Sequence, residues 1–276
     1  MGHDKLRKFA ENKTFTCLVQ PSAEELLADG YFNLRPHALK GKWAEEMFKR
    51  PAGSKIVLEL GCGRGEYTID LARRYPDTCF IGVDIKGARL WKGAKTATQE
   101  TIPNVAFLRT RIEFIEAFFA PGEIDEIWLT FSDPQPKSEN SRLTSPVFLE
   151  RYRKFLKDGG TIHLKTDSRF LHEYSKAVVE ESDGLELLCA ETDLYGNDSR
   201  NPLIDNSVYE VQTYYEKIFL TQGLPITYLK FTMSQDAVLR HPSDFDEKEW
   251  KAKEQVRLSV SEANGIPEFT SSLQKQ

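Results

Sequence analysis

The sequence predicts an α/β fold with a mostly parallel sheet and helices on both of its faces. Between about residue 55 and residue 190, short strand-like runs alternate with stretches of helical periodicity, an order typical of a parallel sheet. The strand-like runs are continuously apolar, which indicates strands buried on both faces. A glycine-rich turn follows the first run, as is common where a strand passes into a helix beside a bound ligand.

Seven strands are predicted for this sheet, at residues 56–60, 79–84, 104–108, 124–131, 160–166, 185–191 and 226–231. A helix over 66–75 should stop before Pro76. Ser145 and Pro146 have the residue types preferred at the start of a helix, and Ser168 is the predicted cap of the next one. The long connection before the last strand has one more helical stretch at 208–222.

The 276 residues divide into three predicted parts. Residues 1–50 form an arm with a short helix and no strand pattern, and residues 51–233 form the α/β domain. Residues 234–276 are polar, interrupted by proline and mixed in charge, which predicts an extended or mobile tail.

Composition restricts the possible partners and sites. With 37 Lys and Arg against 42 Asp and Glu, the net charge is −5, so any nucleic-acid surface has to be local. No run approaches the roughly 20 apolar residues that cross a bilayer, and the N-terminal residues are polar, so we expect a cytoplasmic protein with no membrane partner. The four cysteines have no CxxC or Cys/His ligand spacing, and no metal site is predicted. The sequence leaves a monomer and a homodimer both open.

The glycine turn at residues 59–65 (ELGCGRG) is consistent with three kinds of ligand. A phosphate-binding P-loop has Lys and then Ser or Thr after its last glycine, whereas Glu66 follows here. A dinucleotide site has GxGxxG spacing, whereas Gly61, Gly63 and Gly65 give GxGxG between two acids. S-adenosylmethionine carries an ammonium and a sulfonium and no phosphate, so the acids Glu59 and Glu66 favour it.

Asp84 ends the second predicted strand, 23 residues after Gly61. An acid at this place can accept hydrogen bonds from the ribose hydroxyls of an adenosine. The simpler alternative is that Asp84 caps the following helix, because aspartate is a favoured cap. For Glu59 the alternative is a strand-edge acid paired with a lysine, although a carboxylate within an apolar run is costly without a partner. We predict ligand contacts for both.

Two more strands end in polar residues. The fourth ends at residues 131–137 (FSDPQPK), where two prolines stiffen a loop that presents Asp133 and Lys137. The fifth ends in Asp167. Because the carboxyl ends of parallel strands meet at one edge of a sheet, these side chains should border the ligand crevice. The alternatives are a simple Asp-Pro turn for the first loop and a helix cap for Asp167.

Four motifs occur along the chain in a fixed order, at residues 59–65 (ELGCGRG), 131–137 (FSDPQPK), 165–167 (KTD) and 213–216 (TYYE). In this order they resemble the bacterial tRNA (guanine-N7-)-methyltransferases, over roughly residues 15–233. The resemblance implies a class I methyltransferase (Rossmann-like) fold that uses S-adenosylmethionine to methylate N7 of a guanine in the variable loop of tRNA.

The same resemblance implies a role for each matching position. The cofactor-binding residues are Glu59, Gly61, Gly63, Gly65, Asp84 and Asp133, the catalytic residue between cofactor and base is Asp133, and the substrate-binding residues are Lys137, Asp167, Thr213 and Glu216. Contacts with tRNA phosphates are expected collectively from Lys5, Arg7, Lys8, Lys13, Arg35, Lys137 and Arg142.

The chain departs from the family pattern at three places. Gln135 stands where the family has a tryptophan, and residues 138–142 (SENSR) replace a strongly basic run. Fewer cations should weaken the attraction to phosphates and its dependence on salt. Arg111 stands where the family has an aspartate that meets the adenine, so the adenine contact is unassigned, with Glu113 as the candidate.

The predicted chemistry needs positioning rather than a base. Guanine N7 has an exposed lone pair and no proton to lose, so attack in line with the sulfonium is the main requirement. The purine gains positive charge during the attack, and a fixed carboxylate such as Asp133 would stabilise that charge. Two other functions remain open: a methyltransferase with a small-molecule or protein acceptor, and a tRNA-binding protein without turnover.

Overall fold

The computed structural model describes residues 2–31, 33–196 and 200–263. Within these residues one sheet of eight strands is formed, in the spatial order β1-β4-β3-β2-β5-β6-β8-β7. The strands are β1 (Leu18–Val19), β2 (Ile56–Leu60), β3 (Cys79–Asp84), β4 (Val105–Arg109), β5 (Ile124–Thr130), β6 (Leu156–Thr166), β7 (Asp183–Glu191) and β8 (Thr227–Val238). All neighbours from β1 to β6 are parallel, and β8 is antiparallel to both β6 and β7.

Helices connect these strands and cover both faces of the sheet. They are α1 (Gly2–Asn12), α2 (Ala23–Leu26), α3 (Glu66–Arg74), α4 (Gly87–Gln99), α5 (Pro146–Arg153), α6 (Arg169–Glu181), α7 (Asn206–Glu210), α8 (Tyr214–Thr221) and α9 (Glu247–Ala263). A π-helical turn (Trp43–Met47) and two 3-10 turns (Ile112–Ala117 and Glu139–Ser141) complete the set. No helix in the described part of the chain combines the length and the apolarity that a membrane span requires.

Strand β2 shows why the core lies on both sides of the sheet. Leu58 belongs to the hydrophobic cluster on one face, whereas Val57 belongs to the cluster on the other face. Successive side chains of a strand point to opposite faces, so a continuously apolar strand needs cover on both. The prediction of a mostly parallel α/β sheet with helices on both faces is therefore confirmed.

The predicted number of seven strands is wrong, because the described residues form eight. The additional strand, β1, pairs in parallel with β4 through only two residues, Leu18 and Val19. Two residues are too short to leave a period in the sequence. The helical stretch predicted at 208–222 is also two helices, because Thr213 starts α8 as its cap after a break at residues 211–213.

The predicted boundary at residue 233 and the extended tail differ from the structure. Strand β8 continues to Val238, and α9 occupies residues 247–263. Phe245, just before α9, packs against Phe170 and Tyr174 of α6, with ring centroids 5.9 and 5.7 Å apart. This aromatic contact holds α9 against α6, although the polar composition of residues 234–276 gives no sign of it. The rest of the predicted tail, residues 264–276, lies outside the described residues.

Candidate functional site

Backbone hydrogen bonds hold the bend of the glycine turn after β2. The amides of Gly61 and Cys62 both donate to the carbonyl of Val83 in β3, at 2.8 and 2.9 Å. Gly61 has φ +77° and Gly63 has φ +57°, a region that residues with a Cβ rarely adopt. A Cβ at either position would meet no atom within 4 Å. The two glycines therefore face open space, as a backbone that receives a ligand requires.

Gly65 has a different role from the other two glycines. It caps α3 with φ +72°, and a Cβ at this position would lie 2.4 Å from a ring carbon of Phe107 in β4. Gly93 in α4 meets the same ring, at 2.5 Å. Both glycines let α3 and α4 pack closely onto Phe107. Gly65 is thus required for the packing of α3 and α4 on Phe107, directly under the glycine turn.

Glu59 lies buried under the turn and is only 4% exposed. Its two carboxylate oxygens accept hydrogen bonds from the hydroxyls of Thr68 in α3 and Thr130 in β5. Burial raises the pKa of Glu59 to about 7, the two hydroxyl bonds oppose this shift, and the nearby charge of Asp84 adds to it. Glu59 therefore ties β2, α3 and β5 together and can change its charge near neutral pH.

Asp84 lies at the end of β3 and is nearly buried. One of its oxygens accepts from the amide of Gly63 at 3.0 Å, and the other accepts from the amide of Lys86 at 2.7 Å. The second bond closes a turn before α4, whose N-cap is Lys86 and has no side-chain cap, so Asp84 does not cap this helix. Because an ionised carboxylate has about four acceptor sites, these two bonds leave capacity for a ligand.

A cleft of about 460 Å³ opens beside Gly61 and Asp84. Its walls include Ile85, Thr110, Arg111, Ile112, Glu113, Gln135, Asn140, Ser141, Leu143, Val147, Phe148 and Arg151. Arg111 and Glu113 form an exposed ion pair across 3.3 Å at one wall. The structure therefore places the candidate for the adenine contact, Glu113, in the same cleft as Asp84.

The loop after β5 brings Gln135, rather than Asp133, into the wall of this cleft. Asp133 is exposed, and its carboxylate accepts from the amide of Gln135 at 3.0 Å. Phe131 and Gln135 have φ +51° and +46°, which is unusual for residues with a side chain and is found often at functional sites. Lys137 is exposed and has no ion-pair partner among the described residues.

The Thr213–Glu216 pair starts α8 as a capping box. The hydroxyl of Thr213 accepts from the amide of Glu216 at 3.1 Å, and the carboxylate of Glu216 accepts from the amide of Thr213 at 3.4 Å. Glu216 is fully buried, 2.6 Å from the ammonium of Lys165 and 2.6 Å from the hydroxyl of Tyr195. Glu216 thus already has three protein partners, and it compensates the buried charge of Lys165.

Helix α8 nevertheless begins beside the glycine turn. The amide of Tyr214 donates to the carboxylate of Glu66 at 3.0 Å, and the guanidinium of Arg64 lies 5.6 Å from the ring of Tyr214. Residues 213–216 and 59–65, which are about 150 positions apart in the sequence, are therefore neighbours in space.

Asp167 lies at the end of β6 and under α9. Its carboxylate is 3.8 Å from a guanidinium nitrogen of Arg257. Burial raises the pKa of Asp167 to about 6, and Arg257 offsets only part of that shift. No sequence pattern indicates Arg257, because its role depends on how α9 folds back onto the sheet.

Arg142 was expected at a phosphate-contacting surface, and this expectation is wrong. The side chain is buried at 1% exposure, with its guanidinium 4.2 Å from the ring of Tyr174 and 4.7 Å from that of Phe170. It forms an ion pair with Glu247 at the start of α9. A single arginine in a polar loop has no pattern that distinguishes it from a surface cation.

Sequence reasoning also missed the two hydroxyls that hold Glu59. Thr68 and Thr130 are both buried, and Thr68 lies on the first turns of α3. A threonine in an apolar helix face was the only available signal. Among residues 2–31, 33–196 and 200–263, no group of three or more His, Cys, Asp or Glu side chains has an arrangement suited to a metal ion.

The contrast between Gly61 and Gly65 gives a matched pair of substitutions. Gly65→Ala should lower the free energy of unfolding by about 1–3 kcal/mol more than Gly61→Ala, because only the former overpacks Phe107. Gly61→Ala should instead weaken the binding of S-adenosylhomocysteine. Urea unfolding and calorimetric titration measure the two effects. Equal loss of stability in both variants would contradict the packing role of Gly65.

Glu59 should make stability depend on pH. Its pKa is about 7 in the folded protein against 4.5 for an ordinary glutamate, so the folded state retains a proton between these values that the unfolded state has lost. Stability should therefore fall as pH rises from about 4.5 to about 7, by about 3 kcal/mol at most.

Glu59→Gln should remove this contribution, and the test is urea unfolding of both proteins at pH 5 and pH 8. The stability of Glu59→Gln relative to the original protein should increase with pH. The pH dependence contributed by Asp167 is present in both proteins and cancels in the comparison. A difference between the two proteins that is constant across pH would show that Glu59 does not titrate in this range.

Comparison with known proteins extends the geometric description. Residues 53–229 match a family model described as "Putative methyltransferase". The tRNA (guanine-N(7)-)-methyltransferase of Bacteroides fragilis is 50% identical over 88% of this chain and 90% of its own length. That of Christiangramia forsetii is 50% identical over 83% of this chain and 97% of its own length. A solved 16S rRNA methyltransferase, KamB, aligns with a TM-score of 0.47 at 16% identity, over 65% of this chain and 88% of that one. With half of all aligned positions identical over nearly the whole relative, the chain belongs to the tRNA (guanine-N7-)-methyltransferase family.

Proposed function

We propose that this protein transfers a methyl group from S-adenosylmethionine to N7 of a guanine in the variable loop of tRNA. The observation that carries the proposal is the cleft at the carboxyl ends of β2 and β3, which joins the glycine turn and Asp84 to the loop after β5. Family membership supplies the acceptor, since the relatives are named for guanine N7 of tRNA. Because its substrate is tRNA, the enzyme should act in the cytoplasm.

The residues of the cleft fit this cofactor. Gly61 and Gly63 leave open space next to their backbone, which lets the amino-acid portion approach closely. Asp84 keeps acceptor sites for the ribose hydroxyls, and Glu113 lies at the wall where the adenine would be held. Glu59 is buried under the glycine turn, and its ionised carboxylate adds negative charge below the bound cofactor. When bound, S-adenosylmethionine supplies a methyl group made electrophilic by the sulfonium.

The part of the site where the guanine would bind, called here the acceptor side, requires a group that stabilises positive charge on the purine. Guanine N7 attacks through its lone pair and loses no proton, so no general base is needed. The exposed carboxylate of Asp133, held by the amide of Gln135, can accept from the N1–H and amino edge of the base. The same carboxylate stabilises the positive charge that develops on the ring. We assign Lys137 and Asp167 to this side because they follow β5 and β6, whereas Thr213 and Glu216 contribute by fixing the start of α8 beside the turn.

A local basic surface supports a tRNA substrate despite the net charge of −5. It consists of α1 and α4, which pack against each other through the bond from Asn12 to the carbonyl of Gly87. We call it the α1–α4 surface, and its cations are Lys5, Arg7, Lys8, Lys13, Lys86, Arg89, Lys92 and Lys95. The acids within these two helices are only Asp4 and Glu11, and Glu100 directly follows α4. The surface begins next to Asp84, at the rim of the cleft.

Several of these cations lack a carboxylate partner. Lys86, Arg89 and Lys92 are exposed, and none forms an ion pair with the described residues. They are three positions apart along α4, so adjacent charges advance about 4.5 Å along the helix. Like charges at this spacing repel each other unless an anion compensates them. A phosphate backbone supplies such anions, and its binding releases counterions.

The direct test is methylation of unmodified tRNA, mapped by chemical cleavage at 7-methylguanine. We expect methylation at one variable-loop guanine, at least a hundredfold slower with Asp133→Ala because a positioned charge at a developing cation contributes about that much. Asp133→Asn should be slowed as well, and both variants should bind S-adenosylhomocysteine normally.

Glu139→Gln is the matched control for Asp133. Glu139 lies in the same loop, but its carboxylate is 2.9 Å from His241 and does not line the cleft. Full activity of Asp133→Ala would show that the carboxylate is assigned wrongly. No product from a cofactor-saturated enzyme on any tRNA would instead favour a different acceptor for the same cleft.

The α1–α4 surface predicts a specific dependence on salt. The double substitution Arg89→Glu/Lys92→Glu should weaken tRNA binding and lower the slope of log K against log salt by about one to two units. The control is Lys42→Glu/Lys154→Glu, which changes the net charge equally at exposed cations elsewhere. Equal effects of the two double variants would show that only the total charge matters.

A further inference from the structure

Helix α9 packs on α6 and lies near the acceptor side of the site. Phe245 anchors its start between Phe170 and Tyr174 of α6. Two charged residues of α9, Glu247 and Arg257, form ion pairs with residues in the loops that follow β5 and β6. These loops carry Asp133 and Asp167.

The first connection runs from Glu247 to the loop after β5. Glu247 forms an ion pair with Arg142, whose side chain is 1% exposed and stacks on the rings of Phe170 and Tyr174. The Nε of Arg142 donates to the carbonyl of Gln135 at 3.4 Å. Gln135 lines the cleft and its amide holds Asp133. A chain of three contacts thus links the start of α9 to Asp133.

The second connection runs from Arg257 to the end of β6. One Nη of Arg257 lies 3.8 Å from Asp167 and 3.0 Å from Glu254 in the preceding turn of α9. Its other Nη is buried and has no hydrogen-bond partner among the described residues. Arg257 is ten residues beyond Glu247, about 15 Å along the helix. One helix therefore contacts the loop after β5, at Arg142, and the end of β6, at Asp167.

We propose that α9 forms part of the acceptor side of the site, with Glu247 positioning the loop that carries Asp133 and Arg257 positioning Asp167. This inference rests on the proposed function, because it assumes that the guanine binds at this edge of the sheet. Both are positioning residues that act through other side chains.

The other ion pairs of α9 provide a contrast within the same helix. Glu249 pairs with Lys253, and both side chains are more than half exposed. Exposed pairs of this kind contribute little to stability and touch neither loop. Glu249→Gln and Lys253→Ala are therefore matched controls for Glu247→Gln and Arg257→Ala.

The kinetic experiment measures tRNA methylation by these four variants. Glu247→Gln and Arg257→Ala should each lower kcat about tenfold, with the KM for S-adenosylmethionine and the affinity for S-adenosylhomocysteine unchanged, because the cofactor side is untouched. Arg257→Lys should restore part of kcat, because it retains the charge near Asp167. The two control variants should match the original enzyme. Original rates for both Glu247→Gln and Arg257→Ala would overturn the proposal.

Hydrogen–deuterium exchange tests the same connection without activity. Glu247→Gln should speed exchange of the amides in residues 132–142, whereas Glu249→Gln should leave them unchanged. If the original protein methylates no tRNA, the proposed function fails, and the exchange result still decides whether α9 holds this loop. Unchanged exchange of residues 132–142 in Glu247→Gln would overturn the role of Glu247 even in an active enzyme.

Discussion

The site depends on the parallel register of four neighbouring strands. β3, β2, β5 and β6 lie side by side and run in the same direction, so their carboxyl ends meet at one edge of the sheet. The four turns that follow them contain the glycine turn, Asp84, Asp133 and Asp167. Reversing any of these strands would move its turn to the opposite edge. The register is in turn held by the apolar layers on both faces, which leave no freedom to slip by one residue.

Close packing under the glycine turn converts this edge into a cleft. Gly65 and Gly93 allow two helices to meet the ring of Phe107, which brings the start of α3 close to β2 and β4. Glu59 is enclosed by the same packing and is bonded to one hydroxyl on each side. Because it is enclosed, its proton is held more firmly than that of an ordinary glutamate. A cationic ligand bound above the turn would lower the pKa of Glu59 and so favour loss of its proton. Cofactor binding and ionisation of Glu59 would therefore be coupled.

Charge is distributed unevenly over this acidic protein. The α1–α4 surface collects cations on one side of the cleft, whereas residues 131–145 after β5 contain only two cations, Lys137 and Arg142. On the acceptor side, the two connections of α9 use buried or half-buried ion pairs instead of exposed cations. The two proposals are complementary: we propose that one surface attracts a polyanion and that α9 fixes the geometry of the carboxylates assigned to the base.

The amino-acid sequence alone predicts the α/β class, the position of the seven main strands, the glycine turn and the acids at the strand ends. Each of these features depends on local periodicity or on a short motif. The family followed from four motifs in a fixed order. The roles of Gly65, Arg142, Glu216 and Arg257 could not be predicted, because each depends on a partner between 21 and 105 positions away. Whether a glycine faces a ligand or a phenylalanine ring, and whether an arginine is exposed or buried, is decided when distant segments pack together. Periodicity and spacing carry no information about that packing, so only the tertiary structure could separate the residues that face the cleft from those that support it.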